Sequence, residues 1–160
     1  MKKLLIFLLV TVLALGLGAA ACGTEPIEPT INASETAAQF LPLTVYLPND
    51  NADGFITKDA IFDGKAQSIV SLLVAEGALP AGCALLSFED GVADMNAAYG
   101  GAISNTGTAG EYLMIGCVVN SLLIAYELES VYLTIEGAVP ETGHEIYDYP
   151  LKFYENQVAQ

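Results

Sequence analysis

The sequence predicts an α+β domain built as a two-layer sandwich, with two helices on one face of a mostly antiparallel sheet. Three observations predict this class: strands in which apolar and polar residues alternate, two segments with apolar residues at helical spacing, and an Asp-Gly turn between two alternating runs. In chain order the predicted elements are β-α-β-β-α-β. Because each strand has one apolar face, both helices can cover the same side of one sheet.

The first strand and the first helix are predicted near the start of the domain. Residues 43–47 alternate, and the face expected to be buried holds Leu43, Val45 and Leu47. Pro48 ends this strand, and after a polar turn residues 55–57 are expected to be a short extended piece. Asp63 is the predicted N-cap of the first helix, whose apolar residues recur at helical spacing until Gly77 ends it.

A β-hairpin is predicted at the Asp-Gly dipeptide of residues 90–91, because this dipeptide favours a two-residue turn. The turn sets a register in which Leu86 pairs with Met95. One face of the hairpin then covers the core and the other meets solvent. The face expected to point toward the helices carries Ala84, Leu86, Phe88, Ala93, Met95 and Ala97.

The second helix is predicted over residues 109–128, after a glycine-rich loop at residues 100–107. Thr108 followed by Glu111 forms a capping box at its start. The helix is apolar on nearly every side, which predicts that it is buried. Two further extended segments are predicted, a strand at residues 131–136 and an edge strand at residues 151–154.

The first 22 residues predict where the mature chain is located. Two lysines open the chain, an apolar run follows, and small residues lead directly into Cys22. This arrangement resembles a bacterial lipoprotein signal, in which residues 1–21 are cleaved and the cysteine is lipidated. The alternative is an uncleaved membrane helix, but the apolar run is shorter than the roughly 20 residues that a span needs. We expect Cys22 to anchor the chain to the extracytoplasmic face of the cell membrane, with a flexible tether over residues 22–40.

The mature chain is strongly acidic. Without the signal it has three lysines, no arginine and all nineteen acidic residues, which gives a net charge of −16. Such a surface repels phosphate backbones and anionic head groups, so nucleic-acid binding is excluded and membrane attachment depends on the lipid. The chain is still rich in aliphatic residues, which predicts one folded domain over residues 41–155 and a disordered tail at residues 156–160.

Six segments of the domain together resemble the GerMN domain, a module of lipoproteins associated with sporulation and spore germination. The resemblance spans residues 41–151 and is to a single copy of a domain that the best-known member carries twice. It implies a non-enzymatic interaction or scaffold role, with envelope proteins or further copies of the chain as partners and no cofactor. The segments are LTVYLPND (43–50), GALPAG (77–82), FEDGVADMN (88–96), GTAGEYLMIGCVVNSLL (107–123), LTIEG (133–137) and TGHEIYDYPL (142–151).

Residues 49–60 imitate a calcium-binding loop. Asn49, Asn51 and Asp53 stand at its positions one, three and five, and a glycine follows at position six. Position twelve, which must supply a bidentate carboxylate, is Ala60. The three residues are therefore candidate ligands of an incomplete site, and a solvated acidic turn is the favoured interpretation. A surface lipoprotein that binds calcium or a small ligand is the alternative function.

Two cysteines, Cys83 and Cys117, remain once Cys22 is assigned to the lipid. An extracytoplasmic location permits a disulfide, but the predicted register turns Cys83 away from the helices, and a bridged pair needs Cα atoms within about 7 Å. Two buried thiols are favoured, and the disulfide stays an alternative. His144 is the one histidine, and nothing in its spacing indicates a catalytic pair with a thiol. We expect no catalytic residue and a structural His144 in a turn.

Four tyrosines are candidates for a protein interface, because tyrosine is enriched at such surfaces. They are Tyr46, Tyr132, Tyr147 and Tyr149. Scattered surface aromatics are equally ordinary. Asn120 lies among apolar residues of the second helix, where a buried amide must find hydrogen-bond partners. We expect it to link the helix to a neighbouring loop, with ligand binding as the alternative.

Overall fold

The computed structural model describes residues 40–156. The predicted signal peptide, Cys22 and the tether as far as residue 39 lie outside the described residues, as do residues 157–160 of the predicted tail. The described part folds into strands and helices in the order β1 (Leu41–Pro48), β2 (Phe55–Phe62), α1 (Ala66–Ala75), β3 (Leu85–Glu89), β4 (Val92–Met95), α2 (Ala97–Ser104), α3 (Thr108–Tyr126) and β5 (Tyr132–Ile135).

The predicted α+β class is confirmed, but the order of elements differs in two places. One difference is β2, an eight-residue strand where only a short extended piece was expected. Only its two terminal residues are buried, so the alternation that marks a half-buried strand is missing from its sequence. The strand forms because it pairs along its whole length with β1 as an antiparallel hairpin.

The other difference is α2, which replaces most of the loop expected over residues 100–107. Asn96 is its N-cap, and its Oδ1 atom accepts a hydrogen bond from the Tyr99 N–H. Gly100 favours a loop locally. Packing nevertheless requires a glycine at this position, because a Cβ there would lie 2.9 Å from the Ile135 side chain. Tyr99 is fully buried and anchors the helix in the core.

The strands form two sheets rather than the single sheet expected. β1 and β2 make an antiparallel pair, whereas β3, β4 and β5 make a second sheet in which β4 and β5 are parallel. A parallel pair needs a long crossover, and here it contains α2 and α3. The edge strand predicted over residues 151–154 is reduced to one bridge, in which Leu151 exchanges backbone hydrogen bonds with Val131.

The β3–β4 hairpin follows the predicted register only next to its turn. Further on, a β-bulge between Leu85 and Ser87 makes Met95 pair with Leu85 rather than with Leu86. Leu85 is therefore buried and Leu86 exposed, the reverse of the prediction. The same change of parity buries Cys83. Two further residues expected to face the helices are exposed, Ala84 and Ala97.

The residues predicted to cap the two helices act differently in the structure. α1 begins at Ala66, and the Asp63 carboxylate accepts hydrogen bonds from Ser68 Oγ at 2.6 Å and from the Lys65 N–H at 3.1 Å. These bonds hold the pKa of Asp63 below its ordinary value. At the start of α3, Glu111 is buried and makes no capping box.

α3 is the central helix of the described domain and packs against β1, α1 and α2. Among the described helices it is the one whose length and composition would suffice to cross a membrane, and most of it is buried inside the domain. This burial agrees with its apolar residues on every side. The polar residues of α3 are consequently turned toward neighbouring segments, where they make the contacts described below.

Candidate functional site

The C-terminal segment, residues 138–156, lies along α3 and is fixed to it through its backbone. Asn120 of α3 donates from Nδ2 to the Tyr154 carbonyl and accepts from the Tyr154 N–H at Oδ1, both at 2.8 Å. Tyr112 Oη donates to the Glu155 carbonyl, also at 2.8 Å. The predicted structural role of Asn120 is confirmed, and its partner is this segment.

Glu111 is a carboxylate buried beneath the C-terminal segment, with 2% of its surface exposed. Its Oε1 atom accepts hydrogen bonds from Tyr147 Oη at 2.5 Å and from Thr142 Oγ1 at 2.7 Å. Its Oε2 atom is buried and has no hydrogen-bond partner within the described part of the chain. Buried polar atoms are nearly always paired, so this oxygen is the unusual feature of the region.

A cavity of about 270 Å³ lies beside Glu111, and its walls are mainly tyrosine rings. The rings of Tyr112 and Tyr154 meet edge to face with centroids 4.9 Å apart, and those of Tyr147 and Tyr149 lie 6.2 Å apart. Burial, together with the hydrogen bond to Glu111 and the charge of its carboxylate, raises the pKa of Tyr147. Three further residues complete the wall: Thr108, His144 and Glu145.

The stability of the domain is expected to fall as the pH rises above about 10. Burial raises the pKa values of Tyr99, Tyr147 and Tyr154 in the folded chain, whereas the unfolded chain ionises its tyrosines near their ordinary value. The unfolded chain then releases protons that the folded chain retains, which favours unfolding. Urea unfolding between about pH 8 and pH 11 measures this decline. A Tyr147→Phe variant should decline less steeply, and a midpoint independent of pH would contradict the prediction.

β2 has one edge paired with β1 and one open edge. In an antiparallel pair, opposite residues alternate between those that exchange backbone hydrogen bonds and those that do not. Phe55 and Pro48 are opposite residues that do not exchange backbone hydrogen bonds, because the Phe55 N–H donates instead to Asn156 Oδ1 at 2.6 Å. No other strand of the described residues pairs with the open edge. By this alternation the backbone groups that point outward belong to Thr57, Asp59 and Ile61.

The outer edge of β1 offers fewer free backbone donors than that of β2. Two of its residues are prolines, which have no N–H, and the Tyr46 N–H donates to Ser121 Oγ of α3 at 3.0 Å. The open edge of β2 is bordered by Ile56, 51% exposed, and Ile61, 69% exposed. An exposed strand edge with apolar side chains beside it is a template for pairing with another strand.

The chain matches no protein-family model, and no curated protein matches its sequence. Solved structures that resemble it include the following two. The tandem GerMN domains of the sporulation protein GerM from Bacillus subtilis match with a TM-score of 0.49 and 19% identity, covering 78% of this chain and 48% of that one. A proposed lipoprotein from Clostridium perfringens matches with a TM-score of 0.42 and 15% identity, covering 71% and 87%. The chain spans about half the length of the tandem structure.

The segment that imitates a calcium-binding loop, for which a solvated turn is the favoured interpretation, forms the turn of the β1–β2 hairpin. Asn49 Nδ2 donates to Asp53 Oδ1 at 2.7 Å, and the Asp53 N–H donates to Asn49 Oδ1 at 3.1 Å. Asn51 is exposed at the tip. Nowhere in residues 40–156 are three His, Cys, Asp or Glu side chains grouped to hold a metal ion. The two bonded side chains thus stabilise the turn, as Asn and Asp commonly do.

Cys83 and Cys117 are both buried, and within residues 40–156 both are free. The β-bulge removes the argument from register against a disulfide, because it turns Cys83 toward the core. Burial raises the pKa of both thiols, that of Cys117 to about 12, so neither is a thiolate near neutral pH. His144 lies in an exposed turn, where its backbone N–H donates to Thr142 Oγ1 at 3.1 Å.

The four tyrosines predicted for an interface lie in different environments. Tyr132 and Tyr149 are exposed. Tyr147 is 8% exposed, so the expected surface position is wrong, because its hydroxyl is drawn inward to the buried carboxylate. Tyr46 is half-buried, and its ring meets that of Phe153 edge to face with centroids 5.3 Å apart.

Sequence reasoning misses the two main features of the described domain, the open edge of β2 and the buried Glu111. The signal that could have found β2 is the length of the segment between the polar turn and Asp63. This segment has as many residues as β1, as expected for the second strand of a hairpin. The capping-box pattern explains Glu111 locally and so conceals its role. An acid in the first turn of a helix that is apolar all round is itself a signal of burial.

Proposed function

We propose that this chain is a lipid-anchored protein of the extracytoplasmic membrane face, and that its GerMN-like domain is a non-catalytic interaction module of the cell envelope in sporulation or germination. The observation that carries the proposal is the open outer edge of β2. An extended segment of another envelope protein adds to this edge and pairs with the backbone of Thr57, Asp59 and Ile61. Ile56 and Ile61 then supply apolar contacts on the two faces of the added strand.

Charge favours a partner protein over a second copy as the occupant of this edge. Residues 40–156 contain sixteen acidic residues and three lysines, a net charge of −13, so two copies repel each other. Asp59 lies on the edge itself, where a lysine or arginine of the partner would be attracted. Lys58 cannot neutralise it fully, because its ammonium group pairs with Glu76 at 2.6 Å.

The absence of catalytic chemistry is part of the proposal. Two observations support it: the raised pKa values of the Cys83 and Cys117 thiols, and the position of His144 in an exposed turn. A thiol nucleophile needs a lowered pKa and a base in hydrogen-bond reach. The domain then acts by binding alone, without a cofactor.

The lipid anchor is supported by the signal-like residues 1–21 and by Cys22 directly after them. The acidic surface offers no electrostatic attraction to anionic lipids. A single acyl chain binds a bilayer only marginally, whereas two chains anchor it stably, as in a diacylated cysteine. Anchoring confines the open edge of β2 to the space next to the membrane, where envelope proteins are encountered.

A photo-crosslinking residue in place of Ile61, in the full lipidated chain in sporulating cells, is expected to capture an extended segment of an envelope protein. In the same chain, Thr57→Pro is expected to lower the crosslinked fraction about tenfold, because proline removes an outward N–H from the edge. The hairpin itself is retained, since this N–H does not bond β1. Immunoblots give the yield, and mass spectrometry identifies the crosslinked peptide.

Three controls make this experiment specific. The same crosslinker at Tyr132, an exposed residue of the other sheet, should not capture the segment. Lys58→Pro removes an inward N–H and should open the hairpin, unlike Thr57→Pro. Cys22→Ala should leave a folded domain that loses both the membrane and the crosslink. Crosslinks confined to the same chain or to a second copy, or an unchanged yield in Thr57→Pro, would overturn the proposal.

A further inference from the structure

We propose that the cavity beside Glu111 binds a primary ammonium group, which donates an N–H to the free Oε2 atom of this carboxylate. The site is separate from the edge of β2 and does not depend on strand addition there. Two independent observations carry the proposal. One is the buried carboxylate oxygen that has no partner within residues 40–156, and the other is the tyrosine-walled cavity of about 270 Å³ that Glu111 helps to line.

The hydrogen bonds of Glu111 leave one oxygen prepared for a ligand. Its Oε1 atom accepts from the hydroxyl groups of Tyr147 and Thr142, which fix the orientation of the carboxylate. Oε2 is held in the same buried place without a donor. A cationic N–H donor would supply the missing hydrogen bond and pair with the charge, which is the stronger class of hydrogen bond. Glu145 in the cavity wall adds a second acidic group.

The tyrosine rings of the cavity suit the same ligand. A cation within about 6 Å of an aromatic centroid is attracted by the electrons of the ring face, and the attraction grows when water is excluded. Four tyrosines line this cavity: Tyr112, Tyr147, Tyr149 and Tyr154. The methylene groups next to an ammonium centre would pack against the same rings. Rings and carboxylate therefore favour one class of ligand, an organic cation with an apolar stem.

The donors of the ligand distinguish a primary ammonium group from other cations. A metal ion is disfavoured, because within residues 40–156 no three His, Cys, Asp or Glu side chains are grouped to coordinate one. A quaternary ammonium ion has no N–H and would leave Oε2 unpaired. A primary ammonium group has three donors, enough for Oε2 and for hydroxyl groups of the wall. Its source is either a free alkylamine or the lysine side chain of a peptide.

Calorimetric titration of the full chain in non-ionic detergent with propylammonium chloride tests the proposal. We expect a dissociation constant of about 1 mM, which is reasonable for so small a ligand. Tetramethylammonium should bind at least about tenfold more weakly, since it has no donor for Oε2. The chain has eight tyrosines and no tryptophan, so tyrosine fluorescence gives a second readout of the same binding. Nα-acetyl-lysine methylamide has a free ε-ammonium group and imitates a lysine in a peptide. If it binds more tightly than propylammonium, the ligand is a peptide side chain; if it binds more weakly, the ligand is a free amine.

Matched variants connect the signal to the site. Glu111→Gln keeps the shape of the side chain and removes its charge, and should weaken propylammonium binding at least about tenfold. Glu129→Gln removes one exposed charge elsewhere and should change nothing. If Glu111→Gln fails to fold, Tyr149→Ala at the exposed rim should still weaken binding about threefold. No binding to the wild-type chain, or equal binding of propylammonium and tetramethylammonium, would overturn the proposal.

Discussion

Replacing Asn120 with alanine is expected to lower the free energy of unfolding by about 2 to 4 kcal/mol. The amide lies in the middle of α3, has no exposed surface, and bonds both backbone polar groups of Tyr154 at 2.8 Å. Alanine leaves an N–H and a carbonyl without partners in a partly buried place. Leaving such groups unpaired costs more than the net contribution of the bonds themselves. Urea unfolding followed by circular dichroism measures the change.

The effect should be concentrated on the C-terminal segment. Amide hydrogen exchange at Tyr154 should accelerate, because its N–H loses the Asn120 acceptor. Asn105→Ala is the matched control: this exposed amide also bonds one backbone carbonyl, that of Gly101, and should cost no more than about 1 kcal/mol. A loss below about 0.5 kcal/mol in Asn120→Ala would show that water replaces the amide at no cost.

Replacing Gly116 with alanine is expected to destabilise the domain by about 1 to 3 kcal/mol, although alanine is the better helix former. A Cβ at this position of α3 would lie 2.3 Å from Cζ of Phe55 and 3.1 Å from Cβ of Tyr154. Phe55 is buried and cannot simply swing into solvent. The added methyl group must therefore separate α3 from the start of β2 and from the C-terminal segment.

Gly101 supplies the opposite expectation within the same fold. It lies inside α2, and a Cβ there would meet no heavy atom within 4 Å. Gly101→Ala should therefore stabilise the domain by about 0.5 to 1 kcal/mol, through helix propensity alone. Thermal unfolding of the two variants side by side compares these effects. Stabilisation by both substitutions would contradict the close packing at Gly116.

The elements that could be predicted from the sequence are those whose own apolar periodicity indicates them. β1, α1 and α3 bury apolar residues at strand or helix spacing, so their periodicity alone indicates them. β2 buries only its ends, and its strand conformation comes from pairing with β1. α2 contains two glycines that favour a loop locally, and one of them is required by a side chain of β5. Long-range contacts override local preference in both cases.

The candidate sites follow the same division. Asn120 is predictable because a buried amide in an apolar helix must find partners, although nothing in the sequence identifies Tyr154 as that partner. The buried position of Glu111 is not predictable, because Thr108 and Glu111 match the capping-box pattern, which explains an acidic residue there without burial. Its actual hydrogen-bond partners, Thr142 and Tyr147, lie 31 and 36 positions later in the chain. The β-bulge at Leu86 likewise has no local signal, and it reverses the predicted facing of Cys83.

The sequence by itself determined the α+β class, the hairpin turn at residues 90–91, the burial of α3, and the strongly acidic net charge. Each of these features depends on the spacing of neighbouring residues or on the overall composition, and both can be read from the sequence alone. Only the tertiary structure decided that, within residues 40–156, the strands form two sheets, β2 keeps an open edge, and one oxygen of Glu111 stays unpaired. These features are defined by which polar groups find partners, and the partners lie far away in the chain, as Phe55 and Asn156 do.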